Sequence, residues 1–368
     1  MPEEPYTAGT NDGADGAIGR PVDPRTVESR AERSRALVSV VIPSRNRREL
    51  LGRCLEALSR QTHPPYEVVV VDDGSSDGTW EYLARFANDH ADMSLRCLRN
   101  DSHLGANPSR NRGIRECGAD FVAFLDDDCV PAADWLERLV SGFVSERVAA
   151  VTGHVDDPDP TNIYELALKG THRVYGGSSA TRLVAGNMCV RRKLLLEHGL
   201  DEDRAKASSD IDVSGRADEE GLYLMLKAAG YEQRVVCDAV VLHEHGYSRR
   251  TFFRQAYRGG AAAARLGYKY HLPPRVELAP LLLAYLLLPL ALLVQVGPLP
   301  SALAGGFFLA AILYNEFVRK RKTTREVLMT LPPLVAYYHA RLVGYTIQYL
   351  RLWLGLDKIQ RVRLDTIR

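Results

Sequence analysis

Between Phe121 and Cys129 five apolar residues, Phe-Val-Ala-Phe-Leu, run directly into three consecutive carboxylates. A short apolar run rich in Phe and Val predicts a buried strand. The acids then fall at its carboxyl end, the edge at which open α/β sheets bind their ligands. Three adjacent carboxylates repel one another and raise each other's pKa values, so a cation beside them is stabilising. Alternate residues of an extended strand end point the same way, so Asp126 and Asp128 are expected to share one task. A hard divalent ion that keeps room for phosphate oxygens suits that pair. A solvated acidic turn is the competing reading of the tripeptide alone.

The preceding sequence repeats the pattern of strand, polar loop and helix. Val38-Ser-Val-Val-Ile-Pro43 reads as a first strand, left through Ser44-Arg45-Asn46-Arg47. Leu50, Leu51, Cys54, Leu55 and Leu58 then follow helical spacing. Glu67-Val-Val-Val-Val-Asp72 is a second strand, left through Asp72-Asp-Gly-Ser-Ser-Asp-Gly-Thr79, and Trp80 to Phe86 is helical again. Two such units predict a mostly parallel, doubly wound α/β sheet with its polar loops on one edge. A third strand is expected over Leu95–Leu98, a helix opening at Pro108, further strands over 149–155 and 186–192, and a variable loop over 156–185. Asp218 to Gly230 reads as a helix with acids in its first turn and glycine at its end. Val235 to Leu242 then leads to His243-Glu-His245.

From Tyr247 the character changes. Arg249, Arg250, Arg254, Arg258, Arg265 and Lys269 punctuate an apolar pattern, which predicts a basic amphipathic helix on an anionic membrane surface. Residues 278–296 are apolar over about 19 positions, enough to span a bilayer. A second, more marginal span is read over 300–317. Basic residues flank both outer ends and none lie in the turn, so both ends are expected in the cytosol. Residues 327–356 are read as interfacial or partly buried helices. The chain thus divides into a disordered tail (1–36), an α/β domain (37–247) and a helical membrane region (248–368). Six cysteines with no C-x-x-C pair fit a reducing compartment. Charge is balanced, 47 Lys+Arg against 46 Asp+Glu, so it gives no support for nucleic-acid binding. No G-x-G-x-x-G or G-x-x-x-x-G-K-[ST] follows a strand, which argues against dinucleotide hydride transfer and P-loop chemistry.

Segments 38–62, 67–79, 105–114, 121–136 and 217–231 together resemble, in order and spacing, family-2 glycosyltransferases of the GT-A fold. The resemblance implies a nucleotide pocket lined by Pro43, Ser44, Arg45 and Asn46, with Asp72 or Asp73 at the base. It implies Arg110 near the nucleotide, Asp126 and Asp127 toward the nucleotide-sugar, and Asp128, with Asp126, on Mn2+ or Mg2+. His243 or His245 matches a late histidine that completes the metal shell. The family's Glu-Asp pair appears reversed as Asp218-Glu219, so the base for the acceptor hydroxyl is Glu219 by position or Asp218 by chemical type. The implied function is inverting transfer of a sugar from a nucleotide-diphosphate donor to a hydroxyl of a lipid-linked or polysaccharide acceptor, at the cytosolic face of the cell membrane. Transfer to polyprenyl phosphate and a binding subunit of weak activity are the alternatives. A processive synthase is disfavoured by the lack of Q-x-x-R-W, and a nucleotidyltransferase by the lack of a Gly-rich loop after Ile42.

Overall fold

The computed structural model describes residues 38–62, 66–170, 183–202, 219–244, 246–272, 283 and 299–367. The expected tail, the first membrane span, Asp218, His245 and the middle of the 156–185 loop lie outside them. Strands β1 (Val38–Ser44), β2 (Tyr66–Asp72), β3 (Leu95–Arg99) and β4 (Phe121–Leu125) pair in parallel, with Ser44 opposite Asp72. They alternate with helices α1 (Arg48–Leu58), α2 (Thr79–Asp89) and α3 (Ala106–Glu116). Both faces are covered, so the strands read as continuous apolar runs. Val40, Ile42, Val68 and Val70 pack under α1, α2 and α4 (Trp135–Ser141). Val41, Val69 and Val71 pack on the other face with Ile114 of α3 and with α6 (Arg192–His198) and α7 (Glu220–Ala228).

The second half of the sheet is mixed, which corrects the expectation of a mostly parallel one. β7 (Asn187–Arg191) runs antiparallel to β4 and to β6 (Val148–Asp156), whereas β8 (Glu232–His243) runs parallel to β6. A three-residue strand, β5 (Cys129–Pro131), pairs antiparallel with the end of β8 and closes the sheet order β3-β2-β1-β4-β7-β6-β8-β5. The joint between β6, β7 and β8 is held by the buried Asn187. Its amide donates to the carbonyls of His154 (2.8 Å) and Ala239 (2.9 Å), and its oxygen accepts from Trp135 Nε1 at 2.8 Å.

A helical layer follows. α8 (Arg249–Lys269) packs against α5 (Ile163–Leu168), α9 (Leu299–Tyr314) and α10 (Thr324–Trp353) through Phe252, Ala256, Phe308, Ile312, Leu334 and Tyr337. α8 and α10 approach to backbone contact. A Cβ on Gly260 would stand 1.8 Å from the Arg341 carbonyl oxygen, and one on Gly344 2.1 Å from that of Tyr257. Only glycine permits this crossing.

Among the described residues no helix is long and apolar enough to cross a membrane. The expected second span, 300–317, is a 16-residue helix, α9, that runs into a π-turn at Asn315–Arg319. The π-turn places Glu316, fully buried, between Lys320 Nζ (2.8 Å) and Lys322 Nζ (2.7 Å). Lys322 also donates to the Leu166 and Ala167 carbonyls at the end of α5 (2.6 and 3.0 Å). The 327–356 segment is one long helix, α10, rather than several. Replacing Glu316 by alanine leaves two ammonium groups buried without their counter-ion. It is expected to weaken the docking of this layer by about 3–5 kcal/mol, read as a lower urea midpoint.

Candidate active site

Because β1, β2 and β4 are parallel, their carboxyl ends deliver Ser44, Asp72-Asp73 and the acidic triplet to one edge. A cavity of about 530 Å3 opens there, a size suited to a small-molecule ligand. Pro43, Ser44, Arg45, Asp73, Arg110, Asp126, Asp127, Asp128, Glu219 and His243 all line it. Asp72 and Asn46 do not. Asp72 is buried behind the cavity, its Oδ1 accepting from Ser75 N (3.0 Å), with Arg99 Nε 3.3 Å from Oδ2. Asn46, at φ 53°, brackets the loops after β1 and β2: its side chain accepts from Ser76 N at 2.8 Å. Asp73 organises the loop after β3, accepting from Asn100 Nδ2, Leu104 N and Gly105 N at 2.8–2.9 Å, with His103 Nδ1 at 2.6 Å.

The three acids lie in a turn between β4 and β5, closed by Cys129 N donating to the Asp126 carbonyl at 3.0 Å. The strand alternation expected to group Asp126 with Asp128 therefore does not hold. Asp126 Oδ1 sits 2.6 Å from Arg110 Nη2, and its Oδ2 lies so close to Gly186 that a Cβ there would stand 2.8 Å away. Arg47 Nη1 instead joins Asp127 (2.9 Å) and Asp128 (2.6 Å). Ser44 Oγ donates to Asp127 Oδ2 at 2.7 Å. Burial raises Asp127 above the usual carboxylate range, to about 6, against the pull of Arg47.

The short β5 brings the late histidine to this turn. Its pairing sets Cys129 opposite His243, so His243 Nε2 lies 3.1 Å from Asp128 Oδ1. Burial opposes charge on this imidazole, but the Asp128 carboxylate outweighs it and raises the pKa. Ligand atoms of Asp128, Cys129 and His243 all fall within 4.8 Å of one another. Burial pushes the Cys129 thiol well up, which keeps it protonated and a poor ligand for a hard ion. The donor set is then carboxylate and imidazole, which suits a divalent cation with open coordination positions.

Across the cavity, Glu219 stands at the start of α7, whose Leu222 and Leu226 are anchored in the core. The residues that sequence reasoning passed over are Arg47, which it placed in the loop without a role, and the cavity-facing side of α8. Tyr247, Thr251, Arg254, Gln255 and Arg258 line the site, so part of the helix assigned to a membrane surface instead forms a cavity wall.

A parallel α/β half-sheet that delivers acids and an arginine to one edge, closed by a mixed half that adds a histidine, has the build of a GT-A-like α/β fold. The mannosyltransferase PcManGT from Pyrobaculum calidifontis, solved with GDP-Man and Mn2+, shares this fold at a TM-score of 0.60 and 22% identity, over 86% of this chain and 87% of that one. Residues 39–195 match the family described as glycosyl transferase family 2. The glycosyltransferase AglE of Haloferax volcanii is 34% identical over 193 residues, 51% of this chain and 63% of the relative. A second relative is the Escherichia coli UDP-Glc:alpha-D-GlcNAc-diphosphoundecaprenol beta-1,3-glucosyltransferase WfgD. It is 29% identical over 120 residues, 33% of this chain and 46% of its own length. The matches thus span less than two thirds of either relative.

Proposed function

We propose that this protein is an inverting, metal-dependent glycosyltransferase that moves a sugar from a nucleoside-diphosphate donor to a hydroxyl of a lipid-linked or polysaccharide acceptor. The observation that carries this reading is the pairing of Cys129 with His243, which sets an imidazole 3.1 Å from Asp128 inside a cavity that also holds Arg110 and Glu219. Pro43, Ser44, Arg45 and Asp73 line the nucleoside side. Arg110 fixes Asp126, and its planar fork suits a phosphate edge. Asp128 and His243 would hold Mn2+ or Mg2+, which supplies neutralisation of the departing diphosphate. The acceptor hydroxyl oxygen attacks the anomeric carbon, and the bond from that carbon to the diphosphate oxygen breaks with its electron pair leaving on the diphosphate. Glu219 takes the hydroxyl proton, and the one-step displacement inverts the anomeric centre.

The acceptor class is supported by WfgD, whose named acceptor is a diphosphoundecaprenol-linked sugar. It is also supported by the outer surface of the helical layer. Val343, Ile347, Leu350 and Leu354 form an exposed apolar stripe at helical spacing, and Phe307 and Trp353 are 70% and 71% exposed. We place this layer on the cytosolic face of the cell membrane. All six cysteines are free, as a reducing compartment requires. Calorimetric titration with UDP, GDP and dTDP in Mn2+, Mg2+ or EDTA tests the reading. One nucleotide is expected to bind with metal and to lose most of its affinity in EDTA. Binding of none of the three, or binding indifferent to EDTA, would overturn the reading.

A further inference from the structure

Two arginines meet the acidic turn, and they are held in different ways. Arg110 is 4% exposed, and its two terminal nitrogens have separate partners, Asn107 Oδ1 at 3.0 Å and Asp126 Oδ1 at 2.6 Å. Arg47 is fixed chiefly through its backbone. It immediately precedes α1, and its carbonyl accepts from Leu51 N at 2.9 Å. Its side chain is 46% exposed and reaches both Asp127 (2.9 Å) and Asp128 (2.6 Å) through one nitrogen, Nη1. Nε and Nη2 donate to no group among the described residues, and the side chain lines the cavity. A guanidinium carries a rigid fork of N–H donors, so most of this one remains available to a ligand.

Asp128, which Arg47 holds, is also the carboxylate assigned to the metal. It is 5% exposed, with Oδ1 toward His243 and Oδ2 on Arg47. A buried carboxylate needs a cation beside it, and a guanidinium and a divalent ion each meet that need. Two cations on one carboxylate repel each other, and a partly buried site screens that repulsion less than water does. An ion that arrives alone therefore has to displace Arg47 from Asp128 or bind against its charge. A diphosphate that arrives with the ion changes the balance, because its oxygens accept charge-assisted hydrogen bonds from the released fork. We propose that Arg47 is the exchangeable counter-ion of Asp128: it competes with a divalent cation that comes alone and yields Asp128 to one that comes with the donor diphosphate. Asp127, itself held by Ser44 Oγ at 2.7 Å, keeps the guanidinium at the site during the exchange. Metal and donor affinity are then coupled through Arg47. This proposal rests on the metal-dependent transferase reading above.

The test measures two affinities of the full chain. Binding of Mn2+ alone is followed by loss of the free-ion paramagnetic resonance signal, and binding of the Mn2+ complexes of UDP, GDP and dTDP by calorimetry. Arg47→Gln and Arg47→Met remove the charge and differ in polarity. Both are expected to bind Mn2+ alone about tenfold or more tighter than the unaltered protein, and to bind the Mn2+–nucleotide complex about tenfold weaker. Arg47→Lys keeps the charge and is expected to leave the affinity for Mn2+ alone within about threefold. A structural role for Arg47 predicts losses of both affinities, so opposite signs are the signature of exchange. Unchanged or weaker binding of Mn2+ alone in the neutral variants would overturn the competition. A gain for Mn2+ with no loss for the nucleotide complex would overturn the transfer of Arg47 to the diphosphate. An unaltered protein that binds neither Mn2+ nor any of the three complexes fails the metal-dependent reading itself, and this proposal with it.

Discussion

Asp128→Asn is expected to lower sugar transfer by at least about 1,000-fold and to abolish its response to added Mn2+. Asp128 is 5% exposed, and its two oxygens face different partners: Oδ1 lies 3.1 Å from His243 Nε2 and Oδ2 lies 2.6 Å from Arg47 Nη1. Asparagine keeps the shape but removes the charge that a divalent ion requires. The fold is expected to survive, because Arg47 retains Asp127 at 2.9 Å and the turn is closed by a backbone bond rather than by the carboxylate. Initial rates across a Mn2+ series, together with the thermal midpoint, check both halves. A variant that still responds to metal would move the ion to Asp126 or Asp127.

The second large effect is expected at Glu219. Glu219→Gln preserves size and hydrogen bonding but cannot take a proton, so kcat is expected to fall about 100- to 10,000-fold with donor affinity unchanged. Position supports this assignment. Glu219 lines the cavity at the first turn of α7, and Gly221 lets that turn approach Tyr270, where a Cβ would stand 2.6 Å from the Tyr270 hydroxyl. The helix start is therefore fixed against the end of α8, and the carboxylate is held rather than left on a free loop. The acid limb of the pH–rate profile is expected to disappear with the carboxylate. Retention of both rate and limb in Glu219→Gln would transfer the role to Asp218 or to an acceptor that is already an anion.

The parallel half of the fold was legible because its strands are buried on both faces. Val38–Ile42, Val68–Val71 and Phe121–Leu125 read as unbroken apolar runs, and α1, α2 and α4 carry clean helical spacing. The mixed half was not, since strand direction leaves no mark in composition. β5 has only three residues and ends in Pro131, which suits an edge strand and offers no periodicity to read. The placement of His243 depends wholly on that strand, so its contact with Asp128 had no local signal. Arg47 was visible as a charge in the first polar loop, but only the tertiary turn of Asp126–Asp128 shows which acids it meets. On α8 Arg250, Arg254, Arg258 and Arg265 share one face, at spacings of four, four and seven residues, so spacing alone does not say whether that stripe meets lipid or lines a cavity. The acids misled in a different way. Their alternation assumed an extended strand end, whereas the chain turns at once to build β5.

The most direct measurement is release of nucleoside diphosphate from UDP-, GDP- and dTDP-sugars by the purified protein with membrane lipid extract, in Mn2+ and then in EDTA. Turnover of one donor class that needs both metal and extract, with the sugar recovered on lipid, is the predicted result. Release that continues undiminished in EDTA, or a metal-bound nucleotide complex that never transfers its sugar to any component of the extract, would contradict it.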